Sequence, residues 1–288
     1  MNKKLNLFNF ILAICILLNA SCVKASTSST EISFIASAPG DDEIKSAFRI
    51  PVEKKVDFIR WNLILNQDGK FNLHISYGES QPNTNGFKGG GERLSFSGKF
   101  IVKDNIYELK SENFSTPISL IKLNENLLHL LTSDRKLMIG NGGWSYTLNK
   151  KDFGKNVPAV WKSSVNQTAH ESIFDGRTPC AEIAKQYNLQ VSNECTKIKR
   201  RLTLFRDAMT NEPTKFSLRW IQFSPNLIEG TWMIKRNGDS IIYQLKLNPN
   251  GETLSFLVGD ENVLFFLDQE NQPLTGNSDF SFTLNRKK

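Results

Sequence analysis

Histidine is scarce in this chain: 288 residues carry three, His74, His129 and His170. A nucleophilic serine or cysteine needs a base within hydrogen-bond reach, usually an imidazole held by a third group. His74 lies in an alternating strand pattern opposite Leu73 and Ile75, His129 stands between Leu128 and Leu130, and His170 falls between two repeats. None is near Cys180 in sequence, so no catalytic set is expected and the chain reads as a non-enzyme. Methionine is as rare, four with the initiator, and forms no cluster for soft Cu(I). A stable metal site wants three or four converging His, Cys or carboxylate ligands. The dispersed histidines and few cysteines offer none, so neither a metal nor a cofactor is expected. Asp41-Asp42-Glu43 reads instead as acidic charge in the first turn of a helix. Concentrated basic charge is missing too. The formal charge of +7 is scattered, with only short clusters such as residues 197–201, and no nucleic-acid partner is expected. Gly89-Gly90-Gly91 lacks the spacing of a phosphate-binding loop and reads as a flexible turn.

Long apolar runs are also absent. The longest, residues 8–18, follows Lys3-Lys4 and is too short to span a bilayer. With the small residues behind it, it reads as a signal peptide over residues 1–25. Leu18-Asn19-Ala20-Ser21-Cys22 resembles a bacterial lipobox, which makes Cys22 the lipidated N-terminus and gives a membrane anchor as partner; Val23-Lys24-Ala25 is the competing cleavage site. The expected location is the cell envelope, as an outer-membrane lipoprotein facing periplasm or surface, or else a soluble periplasmic protein. Cys15 leaves with the signal. One even pair, Cys180 and Cys195, then remains in an oxidising compartment, which reads as a disulfide.

Self-comparison organises the rest. IYELKSENFSTPISLIKLNENLLHLLTSDRKLMIGNGGWSYTLNKK (106–151) lies over IYQLKLNPNGETLSFLVGDENVLFFLDQENQPLTGNSDFSFTLNRK (242–287) without a gap. Residues 44–65 likewise lie over 183–204. Two copies of one domain follow, at 26–152 and 172–288, with a linker at 153–171. In each, apolar and polar residues alternate in short runs, as at Leu63, Leu65, Phe71, Leu73 and Ile75 across the Asp68-Gly69 turn. Regular short strands of this kind predict a mainly β fold of two tandem, small, antiparallel, lipocalin-like β-barrels, each preceded by a short helix, after Pro39 and after Pro179. Thr178 is expected to cap the second helix and Pro179 to occupy its first turn.

Cys195 falls on Val56 and Cys180 on Gly40, so both cysteines are missing together from the first copy. Residues that vanish as a pair are expected to be bonded to each other, and a Cys180–Cys195 bridge would tie the helix to the following strand. Arg177, opposite Ser37 or Ala38, has no counterpart and is expected in an ion pair at the barrel rim. Twenty phenylalanines supply a bulky interior. Core packing is the simpler account of them, and an aromatic-lined cavity for a small apolar ligand the alternative.

The order FDGRTPC, LTLFRD, EGTW, VLFFLDQENQPL and FSFTLNR (174–286), with a weaker version in the first copy, resembles the N-terminal barrel of NlpE-type envelope lipoproteins. That resemblance implies a lipid-anchored, lipocalin-like barrel linked to copper tolerance and to envelope stress through protein contacts. The family's close Cys-x-x-Cys pair is not present here, since Cys180 is followed by Ala181-Glu182-Ile183, and a second barrel replaces its C-terminal domain. The expected function is binding to an envelope protein partner, with carriage of a small apolar ligand as the alternative.

Overall fold

The structure, a computed structural model, describes residues 31–165, 169–180, 195–220, 227–247 and 252–287. Eight strands form the first barrel: β1 (Ile32–Pro39), β2 (Phe58–Leu65), β3 (Lys70–Gly78), β4 (Glu92–Lys103), β5 (Ile106–Lys110), β6 (Ile118–Asn124), β7 (Leu127–Leu131) and β8 (Thr147–Lys150). Eight more form the second: β9 (Glu171–Pro179), β10 (Lys197–Arg206), β11 (Pro213–Trp220), β12 (Leu227–Asn237), β13 (Ser240–Leu247), β14 (Thr253–Val258), β15 (Val263–Phe266) and β16 (Thr283–Arg286). Each strand pairs antiparallel with its sequence neighbours, and β1 with β8 and β9 with β16 close the two barrels. Closure removes the free edges that a small open sheet would expose.

The period-two pattern becomes inside and outside. Leu63, Leu65, Phe71, Leu73 and Ile75 all point into the first core. Gly98 in β4 and its equivalent Gly230 in β12 leave room for Phe71 and Phe216, whose rings would lie 2.8 Å from any added Cβ. At eight strands a barrel interior can be filled by side chains or hold one small ligand. The first is filled: Phe48 packs on Trp61 at 5.0 Å, Phe96 at 5.2 Å and Phe114 at 5.7 Å between ring centroids. These aromatics are core.

Among the described residues the one α-helix is α1 (Asp42–Ala47), which comes after Pro39 as expected. It does not precede the barrel; it follows β1 and leads through Phe48 and Ile50 into the core. Asp41 caps it, accepting from the Ile44 N–H at 3.1 Å, with Asp42 and Glu43 in the first turn. The second copy is corrected in the same way. Thr178 and Pro179 do not start a helix; they end strand β9, paired with Ile198 and Lys197. The helix expected after Pro179 lies outside the described residues.

The barrels pack on each other through faces that are normally solvated. Every residue of β7 (LLHLL) and of β15 (VLFF) is buried, because one side meets its own core and the other the sister barrel. Leu123, Leu127, Leu131 and Leu137 meet Ile242, Leu257, Val263, Phe265 and Leu267 in a third apolar cluster. The segment between the barrels is stitched into the same seam. Val160 N–H donates to Leu123 O, Trp161 Nε1 to Gly259 O and Ser163 Oγ to Val258 O.

Candidate functional site

Equivalent residues of the two copies meet across this seam, as they do in an isologous interface about a two-fold axis. Ser145 Oγ lies 2.5 Å from Ser281 Oγ, and Thr147 Oγ1 lies 2.9 Å from Thr283 Oγ1. Asn285 Oδ1 accepts from the Gly140 N–H at 2.8 Å, while Asn149 Oδ1 accepts from the Gly276 N–H at 2.7 Å. His129 meets its own counterpart, Phe265, edge to face at 5.6 Å. Its Nδ1 is 2.9 Å from Thr147 Oγ1 and its Nε2 is 2.9 Å from Met138 O. Complete burial pushes the imidazole down to about 4, so the ring is neutral.

The symmetry breaks at the rim of the seam, where two open clefts lie. Tyr146 stands where the second copy has Phe282, and its hydroxyl donates to Asp41, the cap of α1. Burial, followed by the Asp41 charge, holds that phenol far above its usual value. Two clefts share Asp41, Ile139 and Tyr146. One, of about 530 Å³, runs between Asp57 and Asn141 on the first barrel and Asp175 and Arg286 on the second. The other, of about 510 Å³, is bounded by Glu43, Lys136, Trp161, Lys162, Asp260 and Glu261. Burial pushes the Asp260 carboxyl up to about 6 and, with the Asp41 charge, raises Glu43 as well. Both clefts set charged groups among apolar walls, Val56 and Ile139 in the first and Leu137, Met138 and Trp161 in the second.

The residues singled out from sequence are placed as follows. Cys180 and Cys195 are bonded, with their Cα atoms 5.9 Å apart, joining the end of β9 to the approach of β10. A bonded Cys180 offers no thiol. Cys22 lies outside the described residues. His74 is exposed on β3 against Ser95, His129 is sealed in the seam, and His170 is exposed just ahead of β9, so the structure brings none of them to the cysteines. Among the described residues no three His, Cys, Asp or Glu side chains are grouped to hold a metal. Arg177 makes no ion pair among the described residues, where one was expected at the rim; its guanidinium lies over Trp144, 5.3 Å from the ring centroid, across the seam.

Sequence reasoning passed over Tyr146, Asp41 and Trp161 as site residues. A signal for the seam was present. Ser, Thr and Asn recur at alternate positions in SYTLN and SFTLN, and an Asn follows the glycine of each preceding turn. No protein-family model, curated protein or solved structure matches the chain.

Proposed function

We infer that the chain is an exported, lipid-anchored protein of the cell envelope that acts by binding a protein partner through the clefts between its barrels, without catalysis. The observation that carries the location is the Cys180–Cys195 disulfide, because such bonds persist in oxidising compartments. The lipobox at Cys22 supplies the anchor. Two eight-stranded antiparallel barrels in tandem accord with the resemblance to NlpE-type lipoproteins, from which a role in envelope stress or metal tolerance is carried over. The filled interior of the first barrel, and clefts lined by Asp41, Glu43, Asp260 and Arg286, support recognition on the outside rather than carriage of an apolar ligand within.

Fractionation of the protein in a bacterial host tests the anchor: the wild type should sediment with membranes and Cys22→Ala should not. Cross-linking in the envelope, with a photoreactive residue placed at Lys162, tests the partner. A discrete adduct that disappears when Asp260 and Glu261 are both replaced by their amides supports the reading. A soluble wild type refutes the anchor. A small apolar molecule retained in native mass spectrometry, without any protein adduct, refutes the partner in favour of a carrier.

A further inference from the structure

A second rim of the seam carries two cations that form no ion pair among the described residues. Register places the equivalences, since Pro39 pairs with Phe58 in the first barrel and Pro179 with Lys197 in the second. Ser37, Phe58 and Trp144 of the first copy therefore correspond to Arg177, Lys197 and Phe280 of the second. All six line one narrow cleft. The first copy contributes a small residue and two aromatic walls, the second an arginine, a lysine and one aromatic ring.

The walls are flat and stacked. Phe58 lies parallel to Trp144, with centroids 4.8 Å apart, and to Phe87 at 4.1 Å. Arg177 rests over Trp144 at 5.3 Å and Lys197 over Phe280 at 5.6 Å, both half-buried. Burial lowers both cations from their ordinary values; for Lys197 the Arg177 and Lys199 charges add to it and the Asp279 charge opposes it. The cleft has one carboxylate, Asp279, but it is committed. It accepts from Arg60 at 2.6 Å and from Asn85 at 3.1 Å. Among the described residues neither Arg177 nor Lys197 has a carboxylate partner. Two like charges brought together in a partly desolvated slot cost free energy that aromatic faces repay only in part.

We propose that this slot binds a carboxylate group, held between the Arg177 guanidinium and the Lys197 ammonium. Charge calls for an anion, and the guanidinium fork matches two carboxylate oxygens. Shape selects among anions. The free space is small, about 20 Å³, and lies beside the stacked rings of Phe58 and Trp144. A carboxylate, with two oxygens in one plane, needs less of that space than a tetrahedral phosphate with four. The proposal stands whether or not the chain is lipidated.

Titration of the isotope-labelled soluble domain with acetate at constant ionic strength tests it, following the Arg177 Nε–Hε and Lys197 resonances by NMR. A saturable shift with a Kd on the order of millimolar is expected from two partly exposed charge-assisted bonds. Phosphate should bind more weakly and chloride should give no saturable shift. Lys197→Met should weaken acetate about tenfold and Arg177→Met should abolish the response, with amide dispersion confirming the fold of each variant. A dipeptide with a free C-terminus, compared with its amide, identifies the source. Saturation by the acid alone points to a chain-terminal carboxylate, and equal saturation by acetate points to a free one. The proposal is overturned if no carboxylate gives a saturable shift, or if both variants respond like the wild type, as they would if the cations serve only to brace the aromatic rings.

Discussion

Lowering the pH from 7 to 4 should weaken the wild type through one residue, His129, by an amount the structure supplies. The ring is completely buried against Phe265, and its pKa falls from 6.5 to about 4. A depressed pKa means that the folded state prefers neutral imidazole. The stabilisation is therefore complete above 6.5, where both states are neutral, and drains away as the unfolded chain protonates and the folded one does not. Linkage puts the loss at about 2 kcal/mol by pH 5 and about 3 kcal/mol by pH 4. His129→Phe copies the residue that the second barrel holds at the same position and removes the titration. Asp260 runs the other way, since its carboxyl is raised to about 6 and folding favours its protonated form, but it is common to both proteins. Urea unfolding of wild type and variant at several pH values, read by fluorescence and circular dichroism, isolates the difference. It should shift against the wild type by about 2 kcal/mol between pH 7 and pH 5. Parallel curves for the two proteins across that range would refute the assignment of a neutral, desolvated His129 to the seam.

The other expectations concern the parts that hold the two barrels in shape. Asn149→Ala and Asn285→Ala each strip the acceptor from a glycine N–H in the seam, and each should cost about 1–3 kcal/mol in denaturant unfolding. Because both side chains serve one interface, the double variant should depart from the sum of the singles. Cys180→Ser, or reduction, opens a loop of sequence separation 15 and should cost about 3 kcal/mol in the chain-entropy model; an identical melting temperature with and without reductant would refute it. Phe48→Ala empties the centre of the first barrel's aromatic cluster and should cost about 3–5 kcal/mol, read as a lowered unfolding midpoint.

Much of the fold was legible in the chain. Alternation across Asp68-Gly69 announces the β2–β3 hairpin because the side-chain period of a strand is two, and one buried face leaves that period in the sequence. The joint absence of Cys180 and Cys195 from the first copy pointed to their bond through comparison of the chain with itself. The stretch FDGRTPC was misread where local rules competed. A threonine and proline suit a helix start, but proline is also accepted at the end of a strand. Gly176 is extended within β9, where an added Cβ would lie 2.6 Å from the Thr283 carbonyl oxygen.

By itself, then, the sequence determined the local periods, the turns, the duplication and the cysteine pair, all of which depend on neighbours in the chain or on the same position in the other copy. Tertiary structure alone decided the seam and its two rims. Leu127–Leu131 and Val263–Phe266 read as short apolar runs, and only packing of one barrel on the other shows why both faces of each strand are buried. Arg177 illustrates the limit most plainly. Its neighbours in sequence give it no partner, and its ring partner, Trp144, belongs to the other barrel. The cost of crowding two cations into one slot is a property of a three-dimensional field, which has no period to read along a chain.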